Sequence, residues 1–450
     1  MSINGYIYSK LSNNSSLVPL AVKDVANSCG LTAASYIAGD TVEGKDRFID
    51  EFGTQAIWLW GIPAYKTILD YTLFKAAKLD PEVDARILKN PEILKLAQEF
   101  APNAKIKKSL ENVAKHQIKF KNLTMIRFAA STVLTAGTYL GLTKFRHNYT
   151  ENQIKKDYFE RQKTNLEKAA KQGANIPFSS AFADIHKNKL NNNGKSNQSN
   201  NNSNNKNVAF TGRIQDFIFD PVKNLMLVDG TITGERLTHA RNPQDFMGYV
   251  IKEGLFWTFM YFAGPLISKA MEAHADKKGK SIDLDARVIE STGLENVMQN
   301  GTLKSQLEEF KNFSNNDAEL YKFAVQPENK NFVIYAAKKS DVINCLNKTK
   351  TPDTRKYIDL DELRNVGKKL EKLLTQYENS GETLNEFLGG VRKLKKHAVL
   401  KNIGACIGAL GILAPALMLI TRKDNEYQVK ADIEKKLAQK QNQPDIDKKS

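Results

Sequence analysis

Hydrophobic and polar positions divide this chain into long apolar runs, short aromatic runs and amphipathic stretches of helical period. From Leu123 to Thr143 it reads LTMIRFAASTVLTAGTYLGLT, 21 residues with one charge, Arg127; from Asn402 to Thr421 it reads NIGACIGALGILAPALMLIT, 20 residues with none. A helix needs roughly 20 apolar residues to cross a bilayer, so both runs predict transmembrane helices. Each carries GxxxG, at Gly137 and Gly141 and at Gly404 and Gly408. That spacing lets two helix backbones approach closely in lipid and points to homo-oligomers through those faces.

Two shorter runs are aromatic: GTQAIWLWGIP opens an apolar stretch over 53–76, and GLFWTFMYFAGP lies within 249–268. Trp58, Trp60, Trp257 and Tyr261 have the amphipathic rings that anchor at a membrane interface. If the helices run on past Pro63 and Pro265, each could span by tilting; if they stop there, the runs are re-entrant or interfacial.

Elsewhere the period is helical, above all over 282–397. Leu363, Val366, Leu370, Leu373 and Tyr377 recur at spacings of three and four, and after the turn NSGE so do Leu384, Phe387, Leu388, Val391 and Leu394. This predicts a helical hairpin of coiled-coil type, with Gly389 and Gly390 as a bend. Short strands are expected at NLMLVDG (224–230) and NFVIYAA (331–337). The segment 188–207 holds 11 Asn in 20 residues and one large aliphatic, which predicts a disordered linker.

On either side of it Val22 to Asp24 meets Val222 to Asn224 and Gly30 meets Gly230, and after a one-residue shift Trp58 and Trp60 meet Phe259 and Tyr261. The pattern suggests an internal repeat. The organisation expected is an N-terminal half (1–187), the linker, a C-terminal half (208–421) and a charged tail (422–450). The fold class expected is all-α: a helical membrane protein of two similar halves, each with one short aromatic apolar helix and one long transmembrane helix, plus amphipathic helices.

Charge sharpens this. The 66 Lys and Arg exceed the 50 Asp and Glu, a net charge of +16, and the excess is spread over the loops. That suits anionic lipid headgroups better than nucleic acid, which would show a basic stripe faced by aromatics. The N-terminal residues lack a charged region followed by a clean apolar stretch, so no secretory signal peptide is expected. Membrane lipid is the expected partner and a bacterial cytoplasmic membrane the expected location.

Catalytic chemistry is hard to find. Cys29, Cys345 and Cys406 are far apart, and the six histidines never fall at metal-ligand spacing, so neither a metal nor a cofactor is expected. The stretch LMLVDGTIT contains the Asp-Gly-Thr of haloacid dehalogenase-like phosphatases, but Leu227 occupies the place of the nucleophilic aspartate. Asp229 and Gly230 then read as a turn. Charges beside the apolar runs, Lys66, Asp70, Arg127, Lys252 and Glu253, are candidate intramembrane groups. The expected function is a non-enzymatic scaffold, anchor or partner-assembly protein integral to the membrane. The alternative is a transporter or channel component with a site near the Gly/Pro-interrupted runs.

Overall fold

Polar caps and prolines decide where the helices of this chain begin and bend. The computed structural model describes Leu11 and residues 17–38, 40–171, 219–346, 351–421 and 427–442; the Asn-rich linker segment lies outside the described residues. Helix α1 (Leu17–Ile37) is followed by α2 (Thr41–Ala56), whose first turn is capped by Asp40. A π turn, Ile57–Gly61, leads into α3 (Ile62–Leu69), which continues through Asp70–Phe74 to Ala77. After α4 (Pro91–Glu99) and α5 (Ala104–Lys115) comes α6, a 55-residue helix from Gln117 to Lys171.

Beyond the linker, α7 (Pro221–Thr238), capped by Asp220, and α8 (Pro243–Trp257), capped by Asn242, form a second hairpin. A π turn at Thr258–Phe262 and α9 (Ala263–Asp276) follow. Short helices α10 (Ala286–Ile289), α11 (Thr292–Gln299), α12 (Thr302–Ser314), α13 (Asp317–Val325) and α14 (Phe332–Lys339) come next. Strands β1 (Cys345–Leu346) and β2 (Thr351–Pro352) pair antiparallel. Helix α15 (Leu360–Glu378) precedes α16 (Leu384–Gly408), the π turn Ala409–Leu413 and α17 (Ala414–Ile420); α18 (Gln428–Asn442) packs along α6.

Three of the π turns have one cause. A proline lacks an N–H and its ring crowds the carbonyl four residues earlier. For Pro63, Pro265 and Pro415 those carbonyls belong to Leu59, Tyr261 and Gly411, each inside the π turn just before it. Widening the turn relieves the crowding without breaking the helix. Both aromatic runs therefore continue as helix past their prolines.

The helices sort into a lobe and a bundle. The lobe's apolar core takes residues from 74–123 and from 271–398 together, among them Phe120, Leu294, Val333 and Leu370. Three Asp-x-Arg turns staple it: Arg86, Arg287 and Arg355 each fold a guanidinium back onto the carboxylate two residues earlier, Asp84, Asp285 and Asp353. The Asp84 N–H also donates to the Arg355 carbonyl at 2.8 Å, which joins the two ends of the chain inside one unit. The bundle gathers α1, α2, α3, α6, α7, α8 and the end of α16 around Trp58, Tyr139, Val228, Met260 and Leu410.

Several sequence expectations are corrected here. The chain is mostly helical but is not a two-span membrane protein, because among the described residues one helix, Leu384–Ile420, is long and apolar enough to cross a membrane. The run 123–143 is the middle of α6, and much of its apolar surface, Ile126, Val133, Leu134 and Leu140, faces outward. It turns Thr124, Ser131, Thr135 and Tyr139 inward, with Arg146 a further two turns on. The two halves resemble each other locally, hairpin and π turn for hairpin and π turn, yet they are not separate membrane units, since one core interleaves them.

The lipid partner, the membrane location and the integral-membrane scaffold or transporter functions were expected of a two-span protein and are corrected with it. So is the homo-oligomer through GxxxG faces, which was expected of helices packing in lipid; within the chain, a Cβ added at Gly137, Gly141, Gly404 or Gly408 would meet nothing within 4 Å. The close helix approach is instead within the chain, at Gly30 against Gly411, where such a Cβ would lie 2.2 Å from the Gly411 carbonyl oxygen.

The coiled-coil expectation fails because the helices pack into the lobe rather than along one partner helix: α15, with Leu363 and Leu370, meets α12 and α14, and α16, with Phe387 and Val391, meets α9, α10 and α11. At Gly389 and Gly390 the helix is not broken, since α16 is continuous through them. The stretches read as strands are helical, 224–230 within α7 and 331–337 largely within α14, so Asp229 and Gly230 form no turn.

Substituting Gly30→Ala should lower the melting temperature through a cost of about 1–3 kcal/mol, as overpacked sites do. Gly137→Ala, in open helix, should be neutral or stabilise by up to about 1 kcal/mol. Paired thermal melts of the two variants check this; equal effects would refute the assigned helix contact.

Candidate functional site

The bundle's centre is ionic, and α2 supplies its spine. Asp46, Asp50, Thr54 and Trp58 follow at four-residue spacing, which places them on one helix face. That face turns inward: Asp50 is 2% exposed, whereas Phe48 on the opposite face is 49% exposed. Helix α6 contributes Arg146 and Thr150, α7 Asp229 and Arg236, α8 Tyr249, Lys252 and Glu253, and α1 Lys23, Asp24 and Asn27.

Two arginines organise the middle of this set. Arg236 donates from Nη1 to Glu253 at 2.7 Å, from Nη2 to Asp50 at 3.1 Å and Thr54 at 3.0 Å, and from Nε to the Tyr139 hydroxyl at 2.9 Å. Arg146 reaches Asp50 at 2.8 Å and Tyr249 at 3.0 Å. Lys252 pairs with Glu51 at 2.7 Å. At one end Asp46 accepts from Thr150 at 2.6 Å, Arg241 at 2.8 Å and Tyr427 at 3.0 Å. Burial alone would push these carboxyls up, but the guanidinium groups outweigh it. Asp46 is held at about 2 by Arg146 and Arg241, and Asp50 and Glu253 also lie below their ordinary values.

The other end is short of positive charge. Burial and the neighbouring Asp229 and Glu51 carboxyls push Asp24 up to about 8. Burial, with Glu253 nearby, raises Asp229 to about 7 although the Tyr261 hydroxyl donates to it. Lys23, next to Asp24 in sequence, turns elsewhere: its ammonium donates to the Phe259 and Met260 carbonyls, at 3.3 and 3.4 Å. Both belong to the π turn before Pro265, and in the π pattern it is the Met260 carbonyl that the absent Pro265 N–H leaves without its backbone donor. Gly264 makes room for this lysine: a Cβ there would lie 3.0 Å from Lys23 Nζ.

Of the sequence-selected residues, the structure brings together Lys252, Glu253, Trp58 and Tyr261 in this core. Trp257 is half-buried and donates to Thr233 at 3.0 Å, while Trp60 stands 67% exposed. Lys66, Asp70 and Arg127 form a separate cluster in which Arg127 pairs with Asp70 at 2.9 Å. Burial and the Arg127 charge lower Lys66 to about 8. Sequence reading missed Asp24, Asp46, Asp50, Glu51, Arg146 and Arg236. The signal available was the four-residue recurrence of acids in α2, but hydropathy assigns such a face to solvent.

A cleft of about 20 Å³ sits among Asp24, Asn27, Glu51, Asp229, Lys252 and Glu253, room for about one water-sized occupant. The described residues contain no cluster of three or more His, Cys, Asp or Glu side chains placed to hold a metal ion. Comparison with protein-family models, curated proteins and solved structures gave no match.

Replacing Arg236 by Met leaves Asp50 and Glu253 buried with an essential cation gone, and should cost about 3–5 kcal/mol. Denaturant unfolding measures it. Stability should also vary with pH. Folded Asp24 and Asp229 hold protons that the unfolded chain loses above about pH 4. Their contribution is therefore complete below that and is lost as pH rises through 7 and 8. Asp46, Asp50 and Glu253 act oppositely, contributing above the ordinary carboxylate range and losing that as pH falls towards 2. The melting temperature should peak in mild acid, fall between pH 5 and 8.5, and fall less steeply in Asp24→Asn.

Proposed function

We propose that this chain is a non-catalytic interaction module, in which an ionically clamped helical bundle presents an apolar outer surface to a protein partner. The observation that carries this reading is the distribution of exposed large apolar side chains. Trp60 in the π turn before α3, Ile68 and Tyr71 on α3 and its extension, Ile126 and Val133 on α6, and Ile412 in the π turn after α16 all stand on the bundle. Among the described residues, no such exposed side chain falls between Tyr71 and Ile118 or between Leu266 and Leu400, the stretches that build most of the lobe. Apolar surface concentrated this way marks a region that another molecule covers.

The charged core supports a structural rather than a catalytic role. Its arginines are spent on carboxylates and hydroxyls of the same chain, whereas a catalytic group must face a space that admits substrate. The cleft beside it holds about 20 Å³, too little for an organic substrate.

Cross-linking of the full chain in cell extract, followed by repetition with Trp60→Ser and Tyr71→Ser, tests the reading. Both substitutions lie on exposed side chains and should leave the melting temperature within about 0.5 kcal/mol of stability, while a discrete cross-linked protein band is lost. Flotation of the chain with phospholipid vesicles, lost in the same variants and with no protein band, would overturn it.

A further inference from the structure

The cleft at the proton-rich end of the ionic core carries an inference that goes beyond the interaction surface. Four carboxyls line it, Asp24, Glu51, Asp229 and Glu253, against two cations, Lys252 and Arg236. Lys23 does not make up the difference, since its ammonium is engaged by the Phe259 and Met260 carbonyls. Arg47 reaches only one of the four, lying 3.7 Å from Glu51 and 3.7 Å from Asp50. The wall of the cleft is thus short of positive charge when its acids are ionised, on the side of Asp24 and Asp229.

A second observation is independent of charge. Asn27, 1% exposed, lines the same cleft, and its side-chain carbonyl oxygen has no hydrogen-bond partner. A buried acceptor left unmet costs about 1–3 kcal/mol, and such an oxygen is a ligand for a hard cation. The volume, about 20 Å³, fits one dehydrated ion of water-like size. A divalent ion would need six or more oxygen ligands, and among the described residues no three acidic, His or Cys side chains converge closely enough to hold one.

We propose that this cleft binds one small monovalent cation, an alkali ion or ammonium, held by the Asn27 side-chain carbonyl and the carboxylates of Asp24 and Asp229. Binding ties α1 to α7 at the end of the core where, among the described residues, carboxyls outnumber the cations that line the cleft. The ion is a structural ligand of the bundle, and its site lies in the core, away from the exposed apolar surface.

Thermal melts of the full chain at one fixed pH, in chloride salts of sodium, potassium, ammonium and choline at equal ionic strength, test this. At least one small cation should raise the melting temperature over choline, saturating with concentration and selecting among ions by size. Asn27→Ala should weaken the apparent affinity at least tenfold, and Asp229→Asn should do the same. Calorimetric titration of the wild-type chain with the favoured salt keeps the test open if either variant fails to fold. Identical melting in all four salts with no saturable heat would overturn the proposal, as would an unchanged salt response in Asn27→Ala. Loss of the apolar partner surface in Trp60→Ser would leave this cation response intact, so the two readings fail separately.

Discussion

The bundle depends on one constraint: charges removed from water must be matched inside the protein, because an isolated buried ion is far too costly to keep. Arg236 shows how tightly this binds the architecture. Its guanidinium ties α7 to α2 through Asp50, to α8 through Glu253 and to α6 through Tyr139. Four helices therefore have their relative positions fixed by the fork of one side chain. A guanidinium suits this work because its donors lie in a rigid plane and stay charged at any pH the protein meets. Arg146 repeats the device between α6, α2 and α8. Interdigitating apolar packing, which elsewhere sets helix positions, here fills in around an electrostatic frame.

The prolines enter that frame through the backbone. Pro63, Pro265 and Pro415 each follow a π turn, and the second turn leaves carbonyls that Lys23 satisfies. The consequence reaches Asp24. Asp24 rises because it is buried beside Asp229 and Glu51, and its neighbour in sequence, committed to the π turn through the room that Gly264 leaves, does not offset this. Sequence proximity and electrostatic pairing have come apart, for a reason visible only once the helices are in place.

Helical content was legible from periodicity. The stripe Leu363, Val366, Leu370 and Leu373 is a buried face, and Lys252 with Glu253 was singled out before their surroundings were known. What misled was the assumption that hydropathy orders a helix from inside to outside. Helix α2 reverses it, burying Asp46, Asp50 and Glu51 while Phe48 is exposed. In α6 the apolar count of 123–143 is high, but its inward row is hydroxyls and a tyrosine. A window average cannot see that, because it sums over all faces. The glycines misled for a related reason: GxxxG spacing marks where two backbones could meet, and only the assembled bundle shows that Gly30 and Gly411 do so instead.

The division between lobe and bundle follows from how each meets water. The lobe follows the ordinary rule: apolar side chains such as Ile289, Val333 and Leu363 are fully enclosed, and its arginines are stapled at the rim by their own Asp-x-Arg turns. The bundle spends its interior on charge, so much of its apolar complement is left on the outside, at Trp60, Val133 and Ile412. A helix has one circumference to divide, and a polar stripe facing inward displaces apolar residues outward. The ionic core and the apolar surface are for that reason a single feature of the sequence. A variant that replaced the core charges with aliphatic side chains would remove the need for the clamp but leave the outer surface unchanged. That unchanged exterior is the part of the bundle on which the proposed partner contact rests.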